Sequence, residues 1–436
     1  MLSRGTKIEA GKVKYPIVKE AFAKFGIDIT HGDPEAKIVW FDGTIPPEFF
    51  LTLLPYQRLN KIPGMDYICF KSNTFQALNA CRYKYPKVYT FYPLTFLLPF
   101  QYSDFQHEHL RECSRTHQPV TWIVKPRAGC CGNGIKLIQN TFELAEKKDS
   151  CIVQSYISPF LVNGYKFDFR FYVCISTLNP YTVFIYNEGI ARFCTKKYSP
   201  PTRQTLDDKY CHLTNTAVNV TNEDAPPDMD FTRRASEVLA EIVATDPRGA
   251  GLWDRIKTAA ALTAVAIYSP IVAQVLKDSL ERKTHMRTQV QPQDKLKHSE
   301  EYPNLAPLNK YFHIMGIDVL INDKCEPIIL ELNDRPSMHV TFDYEEQLKP
   351  KLIYDALSLI TTDGTPPEAG KTSPNWEQIL PVAPETALGQ TVSEIMDSFR
   401  HELTPKLALM NSAKKPKFPF KTSTKTKLPP LRPACQ

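Results

Sequence analysis

The sequence predicts a mixed α/β (α+β) protein of mostly antiparallel sheets flanked by helices, and three stretches carry that prediction. Residues 165–173, YKFDFRFYV, alternate strictly between polar residues and phenylalanine. A strand there sends Phe167, Phe169 and Phe171 into a core and turns Lys166, Asp168, Arg170 and Tyr172 to the opposite face. Two apolar runs around Asn187, Glu188 and Gly189 (TVFIYNEGIARFC) read as a hairpin. IDVLIND and PIILELND read as two more strands, while residues 231–281 follow a helical pattern interrupted at DPRGAG.

The remaining elements fit the same class. IVWFD (38–42) reads as a buried strand and FYPLTFLLP (91–99) as a proline-punctuated segment before the polar helix YSDFQHEHLRECSRTH. VTWIVKP (120–126) is a strand that enters the loop RAGCCGNG, and IKLI is the strand that leaves it. FELAEKK reads as helix, CIVQSYI as strand and EEQLKPKLIYDALSLI as a closing helix. Residues 282–304 are polar and expected to be a mobile insertion. Beyond 361 proline and polar residues dominate, with one short helix at TVSEIMDSFRHEL, so a mostly disordered basic tail is expected. The expected boundaries are 1–105, 106–195, 196–360 and the tail 361–436.

Composition narrows the function classes. Of 436 residues, 42 % are apolar and 23 % charged, a balance that supports folding and a chain long enough to enclose a cleft. Eleven cysteines, an odd number without a CxxC pair, argue against a disulfide framework or zinc site and for reduced thiols in the cytoplasm. The N-terminus has no apolar core of signal-peptide length. Thr258 to Leu276 carries no charge over nearly a membrane's thickness, but its Ala, Thr and Pro270 point to a buried helix rather than a span. The formal net charge is +6; the seven cations of residues 411–436 have no acid among them, so the rest of the chain sums to about −1. Such a tail suits an acidic partner, and equally fits a solvated tail without one.

Two constellations could carry chemistry. Gly129, Gly132 and Gly134 lie between two strands, whereas P-loop and dinucleotide folds need a strand followed by a helix. A glycine loop between antiparallel strands can still close over phosphates, with Lys125 as a point charge; a plain hairpin with a surface lysine is the alternative. Glu331 and Asn333 are two apart in an apolar strand and share a face, with Leu330 and Leu332 expected on the other. Asp318 can sit opposite them. Two carboxylates and an amide oxygen suit Mg²⁺, although strand-end polar residues would look the same. Lys166, Asp168 and Arg170, extended by Arg192 and by HLTN (212–215), would complete a cationic cleft of the kind phosphoryl transfer needs.

At this point WIVKPRAGCCGNGI, VQSYI, NGYKFDFRFYV, YNEGIARF, HLTN, GIDVLI and ILELNDRPS resemble, in order and spacing, the tubulin tyrosine ligase-like family of ATP-grasp enzymes, over roughly residues 35 to 357. NEGIARF, LDD and CHLTN look most like its glutamylating branch. The resemblance implies ligation of free L-glutamate onto glutamate side chains in acidic tubulin tails, through an acylphosphate, with ATP and Mg²⁺, the metal counted as two ions. It places Lys71, Lys125, Cys131, Gly132, Gln154, Ser155, Tyr156, Ile157, Lys166, Phe167, Asp168, Thr214 and Asn215 around ATP. It gives the metal to Asp318, Glu331 and Asn333, catalysis to Lys166, Arg170 and Glu331, and the incoming amino acid to Arg192, Ala217 and Lys349. Three departures stand out: Cys131 in the glycine loop, Ala217 after HLTN, and Asp334 with Arg335 in NDRPS, which could tune the acceptor. A glycine or tyrosine donor and a non-catalytic microtubule-binding protein are the alternatives; the absence of HRD and DFG tripeptides argues against a protein kinase. A cytoplasmic monomer on the cytoskeleton, including cilium or basal body, is the expected setting, with no nucleic acid or membrane.

Overall fold

The structure is a computed structural model that describes residues 2–33, 35–127, 132–145, 149–227, 229–289 and 306–411. Three sheets organise it. The first is parallel, in the order β2-β1-β3-β4, from β1 (Lys7–Lys12), β2 (Asp28–Thr30), β3 (Ile38–Phe41) and β4 (Arg58–Leu59). Helix α1 (Pro16–Phe25) starts with proline at its first turn and ends on Gly26 at φ 79°, a left-handed position that glycine adopts without a Cβ penalty. Short helices α2 (Pro47–Thr52) and α3 (Met65–Ile68) and the longer α4 (Lys71–Lys84) follow. Arg58 is fully buried and donates to the carbonyl oxygens of Asn309, Tyr311, Ser176 and Thr361, tying this region to the C-terminal half.

The second sheet, antiparallel in the order β5-β8-β6-β7, comprises β5 (Thr95–Leu98), β6 (Trp122–Pro126), β7 (Lys136–Ile138) and β8 (Cys151–Ser155). It packs on α5 (Tyr102–Thr116) through Phe96, Phe105 and Trp122, all buried, with Trp122 donating its indole N–H to His109 at 3.0 Å. Trp122 and Val124 enter this core. Ile123 and Lys125 therefore face the other way.

The third sheet is built on one long strand, β10 (Tyr165–Leu178), preceded by β9 (Leu161–Val162). Its first half pairs with β12 (Ile190–Phe193) and its second half with β11 (Tyr181–Tyr186), whereas β14 (His313–Ile321) runs along its other edge. Outward from these lie β13 (Thr232–Arg234), β15 (Pro327–Asn333) and β16 (Trp376–Leu380). The alternation in β10 holds: Phe167, Phe169 and Phe171 are fully buried in the main core, and Lys166, Asp168 and Arg170 share the opposite face. Short helices α6 (Lys209–His212) and α7 (Thr216–Asn219) precede α8 (Ala235–Thr245), α9 (Leu252–Gln289), α10 (Asp343–Ala356) and α11 (Ala387–Asn411).

The charge-free stretch is the middle of α9. Its 30 residues from Leu252 to Glu281 are long and apolar enough to cross a membrane, but 67 % of its most apolar window is buried inside the protein. Ala259 to Val265 and Ile271 to Val275 supply much of the main core.

Three expectations need correction. Residues 361–436 are expected to be mostly disordered apart from a short helix at TVSEIMDSFRHEL; Trp376–Leu380 instead adds a strand to the third sheet, and the expected helix is longer, Ala387–Asn411, with Val392, Ile395 and Phe399 in the core. The reason is local: WEQIL places Trp376 against Tyr186, ring centroids 5.0 Å apart, and Glu377 accepts from the Trp253 indole at 2.9 Å. Within the expected insertion at 282–304, α9 continues to Gln289; residues 290–305 and the basic residues 412–436 lie outside the described residues. Of FELAEKK, Thr141–Leu144 is a 3₁₀ turn rather than an α-helix.

Candidate functional site

One cleft, with about 680 Å³ of empty space, opens between β6 and β8 of the second sheet and β10, β14 and β15 of the third. The strands contribute mostly through their two-residue period, with Ser155 beside Gln154 at the end of β8. Ile123 and Lys125 come from β6, Gln154 and Ser155 from β8, Lys166 and Asp168 from β10, Arg192 from β12, and Asp318 and Leu320 from β14. Tyr156 and Ile157 follow β8, and residues 212–215 complete the lining. Gly132, at φ 81°, sits where a Cβ would lie 2.8 Å from Val218 and 3.1 Å from the Asn215 amide oxygen. Only glycine lets the loop backbone come so near that segment.

The floor of the cleft is a buried charge network. Arg192 donates to both oxygens of Asp168, at 2.7 and 2.8 Å, and to Asp318 at 2.9 Å. Arg170 forks onto the same Asp318, and Thr214 donates its hydroxyl to Asp168 at 2.6 Å. The register makes this possible, because Arg170 lies directly opposite Asp318, and Asp168 opposite Arg192, across neighbouring strands. Burial alone would push the Asp318 carboxyl up; Arg170 and Arg192 together hold it well below the usual carboxylate range.

Nearer the second sheet the balance changes. Lys125 is buried, with no carboxylate within ion-pair distance among the described residues, and burial pulls its ammonium down to about 8 despite Glu331, with Lys71 and Lys166 adding to the fall. Lys166 is likewise depressed by burial; its Nζ lies 3.2 Å from the Tyr156 hydroxyl and 4.4 Å from the ring centroid. The Tyr156 hydroxyl lies 3.0 Å from His212 Nδ1, and His212 Nε2 lies 3.0 Å from the Thr205 carbonyl oxygen. Burial, reinforced by Lys166, pushes His212 down to about 4, so the ring is neutral at physiological pH. A neutral ring that donates from Nε2 accepts the tyrosine proton at Nδ1.

The metal set fits its group chemically. Asp318 and Glu331 are cross-strand partners, and the buried Asn333 Nδ2 has no hydrogen-bond partner, leaving that amide uncommitted. Two carboxylates and an amide oxygen are hard donors suited to Mg²⁺. Glu331 currently pairs with Lys71 at 3.1 Å.

One expected orientation is overturned. Leu330 was placed on the face away from Glu331, but both line the cleft. The pairing jumps from Asp318 with Glu331 to Val319 with Ile329, so Leu330 is the extra residue of a β-bulge and the two-residue period breaks there. Leu332 resumes the pattern and enters the core.

Other expected residues fall outside the lining. The Phe167 side chain points into the core, so only its backbone can meet a ligand. Ala217 is exposed on α7, and Lys349, buried on α10, pairs with Glu345 at 2.8 Å and donates to the His339 carbonyl. Cys131 lies outside the described residues. Sequence reasoning missed the apolar walls, Pro93, Ile123, Ile135, Leu320 and Leu330, which carry no motif beyond the alternation of their strands.

Comparison with known proteins bears on the same residues. The sequence profile of the Tubulin-tyrosine ligase family matches residues 51–371. "Tubulin polyglutamylase ttll6" of Danio rerio is 32 % identical over 352 residues, 80 % of this chain and 41 % of that protein. Human "Tubulin polyglutamylase TTLL7" is 31 % identical over 349 residues, 80 % of this chain and 37 % of its own length. "Probable beta-tubulin polyglutamylase" of Tetrahymena thermophila is 30 % identical over 364 residues, 81 % of this chain and 28 % of its own. The chain thus spans less than half the length of these relatives. Since the matched span takes in all the strands that frame the cleft, the chain belongs to the tubulin-tyrosine ligase family.

Proposed function

We propose that the protein is an ATP- and Mg²⁺-dependent ligase that joins free glutamate to glutamate side chains in the acidic C-terminal tails of tubulin. Family membership and the names of its relatives support the reaction class. The observation that carries the reading is the pair of buried lysines, Lys125 and Lys166, left without carboxylate partners in a cleft that also holds Asp318 and Glu331. A buried ammonium without a partner is costly, and a polyphosphate would offset that cost.

ATP would supply the phosphoryl group that activates the acceptor carboxylate, and a divalent ion would neutralise phosphate charge. Lys125 and Lys166 bind phosphate oxygens on this reading, and Tyr156, held by His212, fixes Lys166. Asp318, Glu331 and Asn333 would hold the ion. The Asp168, Arg192, Asp318 and Arg170 network keeps the cleft floor rigid and turns Arg170 toward developing negative charge. Residues 1–105, 106–195 and 196–360 then serve as N-terminal, central and C-terminal ligase domains, and the cytoskeleton is the place of work. The test is mass spectrometry of tubulin incubated with the protein, ATP, Mg²⁺ and single amino acids. A ladder spaced by the residue mass of glutamate, absent with glycine or tyrosine, is the expected result; no addition with any donor overturns the reading.

A further inference from the structure

A second polar cavity lies farther along the two strands that carry Asp318 and Glu331. Two adjoining spaces of about 520 and 350 Å³ share Gly43, Lys61 and Arg335. Ile314 and His313 of β14, four and five residues from Asp318, and Asp334, next to Asn333, also line them. Four residues of strand put Ile314 roughly 13 Å from Asp318, while the cavity's near edge reaches the residue beside Asn333.

The donors and acceptors here do not balance. Lys61 makes no hydrogen bond or ion pair with any described residue, although it is half-buried and burial pulls its ammonium down to about 8. The nearby acids are already engaged. Asp42 accepts the Trp40 indole N–H at 3.0 Å and the Lys14 backbone N–H at 2.9 Å, and Asp334 accepts from Arg335 at 2.8 Å. His313 accepts the Ile62 N–H at Nδ1 and lies 2.8 Å from the Asp334 carbonyl through Nε2, so it is neutral and adds no charge. Asp66, the remaining acid, is exposed at the rim. Arg335 is held at the mouth by Thr44, and the Lys14 ammonium comes within 3.3 Å of where a Cβ on Gly43 would sit. Three cations thus converge on one space with the acceptors between them spent.

We infer that this cavity binds a side-chain carboxylate of the acidic acceptor chain, with Lys61 and Arg335 as donors, roughly three to four residues from the glutamate being modified. The inference rests on the ligase reading above and names the acceptor subsite of that same cleft. Length sets the register: an extended peptide covers the separation of the two sites in about that many residues. Arg335, with Asp334, is also one of the departures noted in NDRPS, which makes the subsite a determinant of acceptor choice on this inference.

The test is equilibrium binding of a fluorescent glutamate-rich peptide to the full chain, without nucleotide, followed by anisotropy. Lys61→Met is expected to weaken binding about tenfold, the loss of one charge-assisted hydrogen bond, without lowering the unfolding temperature, because an unpaired buried ammonium contributes nothing to stability. Arg335→Lys should retain more affinity than Arg335→Ser. Replacing one peptide glutamate by glutamine, three or four places from the acceptor, should weaken the wild type and leave Lys61→Met unaffected; ATP affinity should not change in any variant. Unchanged peptide affinity in Lys61→Met, a wild type that does not bind the peptide, or a loss of affinity that tracks a loss of stability each overturn the subsite. Product formation on tubulin is scored separately: a wild type that binds the peptide through Lys61 yet adds no glutamate retains the subsite and sinks the ligase reading.

Discussion

The two ends of the cleft treat charge in opposite ways. At the third sheet Arg170, Arg192, Asp168 and Asp318 answer one another through short, forked contacts, so the protein completes its own electrostatics. Toward the second sheet, Lys125 of β6 and Lys166 at the start of β10 are buried as deeply but have only a tyrosine and a ring face between them. The difference separates scaffold from binding surface. A compensated network holds strands in register whatever is bound, and an uncompensated cation is stabilised only when an anion arrives.

The strongest way to break this comparison is to remove one member of the compensated end. Asp318→Ala leaves two buried guanidinium groups short of a partner and should cost about 3–5 kcal/mol, read as a lower midpoint in chemical denaturation, together with loss of activity. A cost no greater than that of a surface substitution would show that the network does not support the fold.

Lys125→Met probes the other end and should act in the opposite sense. Stability should be unchanged or higher, while affinity for ATP, measured by calorimetry, falls at least about tenfold. A variant that loses stability would make Lys125 part of the scaffold.

A pH series sharpens the same contrast. The folded pKa of Lys125, about 8, lies below that of the unfolded chain, so between the two values the unfolded state binds more protons and stability rises with pH. The penalty is full below about pH 8 and disappears as pH passes the ordinary lysine value of about 10.4. The stability advantage of Lys125→Met over wild type should therefore be greatest at neutral pH and shrink across that window. An advantage independent of pH would count against a desolvated ammonium.

The smallest effect is expected at Gly316. A Cβ there would lie 3.0 Å from Cδ of Arg170, tighter than ordinary contact, and the arginine stem must give by a few tenths of an ångström. Gly316→Ala should cost about 1 kcal/mol in thermal unfolding and leave ATP affinity unchanged. An effect matching Asp318→Ala would mean that strand spacing, rather than charge pairing, dominates at this end.

Much of this architecture was legible in the chain because polar and apolar residues alternate with a period that backbone geometry enforces. YKFDFRFYV declared which side chains of β10 oppose the phenylalanines, although Tyr172 of that row is buried in a separate apolar cluster, and the apolar runs around Asp318 and Glu331 declared a pair of strands. Leu330 shows where that logic stops: a bulge adds one residue, and no pattern in IILEL marks it. The segment 376–411 shows a second limit. TVSEIMDSFRHEL marks its helix, but its strand is held by Tyr186 and Trp253, contacts that lie far away in sequence.

The sequence by itself determined which residue types line each strand and what chemistry they can support, since alternation and side-chain character are local properties. Only the tertiary structure decided which charges meet. Whether Arg192 is spent on a second aspartate, Asp318, or Lys61 is left without a partner depends on strand register and on burial, and both are set by segments more than a hundred residues apart.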